Sequence, residues 1–347
     1  MAKAAGVSPT TVSQAFNGRR TVSRQTLERV HDVAERIGYR PNAVARGLRE
    51  SRMNVIALVL RPLDTLESFL PEGVDFFMRF AGSAALSAME HGYSLMLVSD
   101  PTKPGAPVSS LAADVCIVTD PFENDPVLTL LKNQHIPALT VGVDPARPGV
   151  VPSIDSNTRA ETFEVLDHLE SAGGTTVGLA LGTDRNAWNL TAKRAYVEWC
   201  GARGREPIIY ENPETRGEAA GERIAAEAFD RVDRVERRPD AIYCLTGRHA
   251  SGLVAAARSR GIRVPEDLLV AAGSDALQNR TGRPTVTAMD LRPEETARRA
   301  VELAVQLFEG SDAELPTSAP GGILRVREST SRDPVRSASR RRGPSSD

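Results

Sequence analysis

At 347 residues, with 41% hydrophobic and 25% charged side chains, the chain has room for two or three ordinary globular domains. No apolar run reaches the length of a membrane span, and Cys116, Cys200 and Cys244 are odd in number, far apart and set in apolar runs, which favours buried thiols in a reducing compartment over a disulfide framework. The formal charge of −2 conceals a basic head on an acidic body: residues 1–52 hold ten Lys or Arg against four Asp or Glu (+6), and residues 53–324 hold 26 against 38 (−12).

The head reads as three short helices. Ala2 to Ala5 is a small-residue run that Gly6 ends as a C-terminal turn residue. Val7 is the apolar plug before the next helix. Ser8 is a good N-cap, and Pro9 takes the first helical position, where its missing N–H costs nothing. In the helix from Thr10 to Asn17, Val12, Ala15 and Phe16 form a dry back, and Thr10, Thr11, Ser13 and Gln14 form a front of short polar side chains. Such a helix suits a major groove. Ser23 caps a third helix, RQTLERVHDVAERIG, whose Leu27, Val30, Val33, Ala34 and Ile37 make an apolar stripe. Any small three-helix domain shows such stripes; the +6 charge tips the reading towards phosphate binding.

The stretch VSPTTVSQAFNGRRTVSRQTLERVHDVAERIGYRPNAVARGL closely resembles the headpiece of the lac repressor (LacI/GalR) family of bacterial transcription regulators. The resemblance implies a homodimer on a pseudo-palindromic DNA operator and a periplasmic-binding-protein-like core that binds a small effector. It places Pro9, Thr10 and Gln14 where base edges are read, with Ser8, Thr11 and Ser13 on the same surface. It makes Asn17, Ser23 and Tyr39 backbone-contacting positions. Asn42 to Leu48 resembles the hinge helix, in which Ala45 and Arg46 are expected at the DNA and Leu48 is the wedge that unstacks a base step in the minor groove. Two departures stand out. Family members usually carry a few more residues before MAKAAG, so the first helix is expected to be truncated and uncapped. Gly47 sits inside the hinge helix at a cost of roughly 0.5–1 kcal/mol relative to Ala, which favours a hinge that folds only on DNA.

In the body, apolar strand-like runs alternate with helical patterns. The runs are residues 55–60, 94–99, 114–119 and 138–143, then 176–182, 207–212, 241–246 and 268–274. Helical patterns cover Phe76–His91, Pro126–Gln134, Thr158–Ala172, Ala187–Arg203, Ala219–Arg231, Ala250–Gly261 and Pro293–Glu309, and Pro101–Leu111 reads as a loop. Continuous apolar strands alternating with helices imply parallel sheets covered on both faces, and two series imply two doubly wound α/β subdomains. The expected organisation is an all-α helix-turn-helix head over 1–40, a hinge over 41–52, and a core over 53–330 crossed near 155, 285 and 315. The polar, basic stretch 331–347 is expected to be a disordered tail.

Ligands bind such sheets beyond the carboxyl ends of their strands, so the effector cleft is expected between the two sheets. The resemblance implies Asp275 as an anchor; Phe76, Phe77, Arg185, Trp188 and Asn189 are candidates to line the cleft, the aromatics equally core candidates, and Arg185, Asn189 or Arg248 are alternative holders of the ligand. Asp275 also reads as a helix N-cap. The family's sugar-binding arginine aligns with Ala192, and its Asn-Asp pair with Thr246-Gly247. A sugar or sugar derivative is therefore the family's implication for the effector, weakened here. Three rivals compete. A solute-binding protein needs a secretion signal and lacks the head. An enzyme needs a nucleophile–base pair or a phosphate loop, and neither motif is present. A degenerate regulator that binds only the small molecule is the third. A cytoplasmic, nucleoid-associated regulator without cofactor, metal or membrane contact is the expectation.

Overall fold

The computed structural model describes residues 1–16, 22–40, 52–60, 75–230, 238–310 and 317–332. The chain divides into two compact units, Met1–Asn54 and Val55–Asp347. Asn17, Asn42, Ala45, Arg46 and Leu48, nearly all of the expected hinge and most of the expected tail lie outside the described residues.

The first unit is three helices, α1 (Ala2–Ala5), α2 (Pro9–Phe16) and α3 (Arg24–Arg36). Gly6 ends α1 in the left-handed region at φ 65°, where glycine has no steric penalty, and Met1 at the cap position makes no side-chain cap. Ser8 Oγ accepts the Thr11 amide at 3.0 Å, and Ser23 Oγ accepts the Thr26 amide at 3.3 Å. Ala5, Ala15, Val30 and Val33 form the core, with Met1, Val7, Phe16 and Leu27 packed against it. Ile37 departs from the expected stripe. It caps α3 in a non-helical conformation and is 48% exposed, because the helix stops at Arg36 before its side chain turns inward.

The second unit carries two sheets. The first, of β1 (Val55–Val59), β2 (Ser94–Val98), β3 (Val115–Thr119), β4 (Ala138–Val141) and β5 (Ser153–Ile154), is wholly parallel in the order β2-β1-β3-β4-β5. Ile56, Leu58 and Ile117 face α4 (Asp75–Glu90) and the C-terminal helix of the unit, while Ala57, Val59 and Val118 face α5 (Pro126–Asn133). The second sheet begins after α6 (Thr158–Ser171) and contains β6 (Val177–Leu181), β7 (Ile209–Glu211), β8 (Ala241–Cys244), β9 (Leu269–Ala272), β10 (Thr287–Asp290) and β11 (Ile323–Arg325). Its order is β11-β10-β9-β8-β6-β7, with only β11 antiparallel. α6 and α7 (Ala187–Gly201) cover one face; α8 (Ala219–Ala225) and α9 (Gly247–Ser259) cover the other.

Three short strands and the five-residue helix α10 (Leu277–Thr281) escape the sequence pattern. The short strands are β5, β10 and β11, of two to four residues, too few for a periodicity to register. Because β10 pairs with β9, the chain leaves the second sheet after Asp290 rather than near 285. It then runs through α11 (Pro293–Glu309), whose Ala297, Ala300, Val301, Ala304 and Val305 pack on the first sheet. The three cysteines are buried and unbonded, as their apolar settings imply; burial pushes the Cys116 thiol up to about 12.

Candidate functional site

In the head, α2 exposes the polar front that the sequence predicts. Pro9 and Thr10 are exposed, Ser13 and Gln14 are half-exposed, and Val12 and Ala15 are buried. Ser8 and Thr11 are committed to the helix start: beyond the cap, their hydroxyls lie 2.9 Å apart. Tyr39 is exposed, its ring 6.0 Å from Phe16, and Ser23 is exposed at the start of α3. The arrangement presents short hydrogen-bonding groups on one face of a helix held rigid by a small apolar core.

In the second unit, the segments leaving β3 and β6 meet. Phe122 and Asn186 form an antiparallel bridge, the Glu123 amide donates to the Arg185 carbonyl at 3.0 Å, and the Arg185 guanidinium reaches Glu123 at 2.6 Å. The carboxyl ends of the two sheets therefore face each other at this rim. Asp144 shapes the β3 side by accepting the amides of Asn124 and Ala146 at 3.1 and 2.9 Å. Burial raises its pKa, but the amides of Ala146, Asn124 and Asp125 and the Arg147 charge outweigh that and hold it below the usual carboxylate range.

The expected effector residues scatter along these strand ends. Arg185 belongs to the rim pair, with 68% of its side chain exposed. Asp275 is not an open anchor. Arg327 takes both of its oxygens, Nη1 to Oδ1 at 2.9 Å and Nη2 to Oδ2 at 2.7 Å, with the two side chains 18% and 7% exposed. Nor does Asp275 cap a helix, since α10 has no side-chain cap. Phe76 and Phe77 are half-buried against the core beneath α4, edge to face with ring centroids 5.4 Å apart. Trp188 packs against the α6–α7 core. The Arg248 guanidinium lies against Gly217, so close that a Cβ there would meet Nη2 at 2.1 Å.

Asn189 leads to a feature that the sequence reading missed. Its Nδ2 donates to Glu214 at 2.5 Å and to the Asp184 carbonyl at 2.9 Å. Glu214 follows β7 and accepts the Thr183 amide at 3.1 Å, placing its carboxylate on the end of β6. The strand-end rule that singles out Asp275 applies equally to Asn212 and Glu214 after PIIYE, but a polar residue in a loop gives no sequence sign of where it folds. An open depression of about 580 Å³ lined by Arg258, Arg280, Arg283 and Glu328 lies at the amino end of β10, where Arg280 also donates to the Asp275 carbonyl at 2.9 Å.

Comparison with known proteins agrees with this architecture. Residues 1–42 match the model of bacterial regulatory proteins of the lacI family, and residues 166–330 match the periplasmic binding protein-like domain. The HTH-type transcriptional repressor PurR of Mannheimia succiniciproducens is 26% identical over 95% of this chain and 97% of its own length. Catabolite control protein A of Priestia megaterium is 24% identical over 83% of this chain and 85% of its own. In fold, the chain superposes on the lac repressor dimer bound to operator and the anti-inducer ONPF with a TM-score of 0.76, at 20% identity over 95% of this chain and 97% of that one. The chain joins a DNA-binding domain of the lacI family of bacterial regulatory proteins to a periplasmic binding protein-like effector domain, the make-up of a DNA-binding transcriptional regulator.

Proposed function

We propose that the protein is a repressor that binds a pseudo-palindromic operator as a homodimer and is controlled by a small molecule held between the two sheets of its core. The observation that carries this reading is the polar, exposed front of α2 within a basic head. Pro9, Thr10, Ser13 and Gln14 read base edges, and Ser23 and Tyr39 contact phosphates. Ser8 and Thr11 act chiefly by fixing the start of α2. Asn17 at the backbone and Asn42, Ala45, Arg46 and Leu48 at the minor groove complete the interface, on the strength of the family resemblance. The protein works where its DNA is, in the cytoplasm. Among the described residues no helix is long and apolar enough to cross a membrane.

Dimerisation is supported by α4. Met78, Leu86 and Met89 lie along one face at 57%, 65% and 69% exposure, with Gly82 between them and Leu97 of the adjoining β2 exposed as well. An apolar stripe of this kind marks an association surface. Two-fold proteins read two-fold sites, and each phosphate neutralised releases counterions. Selection from a random duplex pool, followed by fluorescence anisotropy across a salt series, tests the proposal. Enrichment of an inverted repeat with steeply salt-dependent affinity is expected; recovery of no inverted repeat overturns it.

A further inference from the structure

We propose that Glu214 is the effector anchor of this protein and that it selects a cationic ligand, an ammonium or amidinium carried on a small polar body. The inference rests on the effector-cleft reading above and names the chemistry of that cleft. The carboxylate is rigidly placed. Oε2 accepts the Thr183 amide at 3.1 Å, and Oε1 accepts Asn189 Nδ2 at 2.5 Å, with the Asp184 amide at 3.4 Å. It lies directly on the bare Cα of Gly182, where a Cβ would stand 1.6 Å from Oε1, so any other residue at 182 would evict it.

Three other strand-end carboxylates have a cation. Glu123 has Arg185, Glu211 has Lys193 and Asp275 has Arg327. Glu214 alone of these four is held only by neutral N–H donors, and among the described residues no Lys or Arg forms an ion pair with it. A half-buried anion without a counter-charge binds an incoming cation at little extra desolvation cost.

The surroundings supply the rest of a polar site. Asn212 is fully buried, yet both its amide atoms lack partners; Thr246 Oγ1 and Asn189 Oδ1 are likewise buried and unpartnered. Native interiors leave few such groups, and several just beyond neighbouring strand ends and on the helix that follows β6 mark a place built for a ligand or its waters. Strand alternation puts Asn212 on the face of Tyr210, Thr246 on that of Cys244 and Gly182 on that of Ala180, and all three of those reference residues belong to the core under α8 and α9. Counting Glu214, Asn189, Asn212 and Thr246, acceptor oxygens outnumber donors, and the Arg248 guanidinium, which lies against Gly217, forms no ion pair with Glu214. That balance fits a donor-rich cation and penalises a plain hexose or an acid.

The test is a titration of the deuterated, ¹⁵N-labelled full chain with methylammonium chloride in place of sodium chloride at constant ionic strength, read at the Thr183 and Asp184 amides. Parallel titrations use sodium acetate and glucose, and all three are repeated on Glu214→Gln after thermal unfolding shows the variant folded. Saturable methylammonium shifts, weakened at least tenfold in Glu214→Gln and not produced by acetate or glucose, are expected. Saturable acetate shifts would mean that a ligand acid displaces Glu214 from its donors, and the proposal fails. It fails equally if methylammonium gives no saturable shift, or shifts wild type and variant alike. Binding of the wild type to pool-selected DNA is read separately: its loss strikes the regulator reading and leaves the methylammonium result standing.

Discussion

Asp275 shows how a residue's neighbours decide its role. The Asp275–Arg327 pair is largely buried, Arg280 stands 3.7 Å from the same carboxylate, and Arg327 Nη1 also donates to the Val286 carbonyl at 2.6 Å. Removing one partner of such a pair strands the other charge in a poorly solvated site. Asp275→Ala is therefore expected to lower unfolding stability by about 3–5 kcal/mol, and Asp275→Leu combined with Arg327→Met to recover much of that loss. Urea denaturation of the three variants checks it; an unchanged midpoint for Asp275→Ala would show that the carboxylate carries no structural load. His249 is the second case. Burial, opposed by the Pro213 carbonyl and reinforced by the charge of Arg248, pushes its imidazole down to about 4. A lowered histidine pKa means that the unfolded chain takes up the proton first. The stabilisation is complete above pH 6.5 or so and is lost as the pH falls towards about 4, by on the order of 3 kcal/mol. Stability profiles of wild type and His249→Gln should converge over that window; parallel profiles would mean that another group carries the dependence.

At the scale of elements, α4 and α11 show the same helix chemistry with two destinations. α11 buries Ala297, Ala300 and Val301 against the first sheet. α4 buries Phe80, Ala84 and Ala88 on one side and leaves Met78, Leu86 and Met89 outward on the other. A helix apolar on both sides has a second partner. Leu86→Glu is expected to convert the proposed dimer to monomer in sedimentation velocity while leaving the stability of the monomer within about 0.5 kcal/mol, as for a surface substitution. A dimer that survives the charge places the interface elsewhere. The helices of the core were legible because α7 and α11 run for 15 and 17 residues, long enough for a period to show. One helical pattern, Ala219–Arg231, resolves differently: α8 stops at Ala225 and a single wide turn, Ala226–Asp230, follows. Arg260 spans the junction by binding Glu222 and Asp230 at 2.7 and 2.8 Å. That contact crosses some thirty residues of chain, and no local pattern announces it.

For the core as a whole, the rim between the two sheets is held lightly. Among the described residues it includes a backbone bridge and the Glu123–Arg185 pair, whose arginine is mostly in water. Exposed pairs contribute roughly 0.2–1 kcal/mol, too little to lock a cleft against a ligand. A double-mutant cycle on Glu123→Gln and Arg185→Gln should return a coupling within that range in unfolding experiments, with effector-free operator affinity changing less than about fivefold. A coupling of several kcal/mol would make the rim a clamp instead of a loose contact.

What the sequence determined by itself was everything governed by local rules. Ser8, Pro9 and Gly6 place the ends of the head helices, since capping and left-handed turns involve residues only a few positions apart. Continuous apolar runs foretold the parallel sheets, because a strand buried on both faces has no polar alternation to show. Charge partition and one long motif pointed to DNA. The tertiary structure alone decided which charges are free. Asp275 and Glu214 are both acidic residues beyond strand ends, and nothing in their neighbours along the chain tells them apart. Arg327, 52 residues away, neutralises the first, while Gly182 and Asn189, 32 and 25 residues away, seat the second among neutral donors. Electrostatic roles depend on distances of a few ångströms between groups far apart in sequence, and only the folded chain sets those distances.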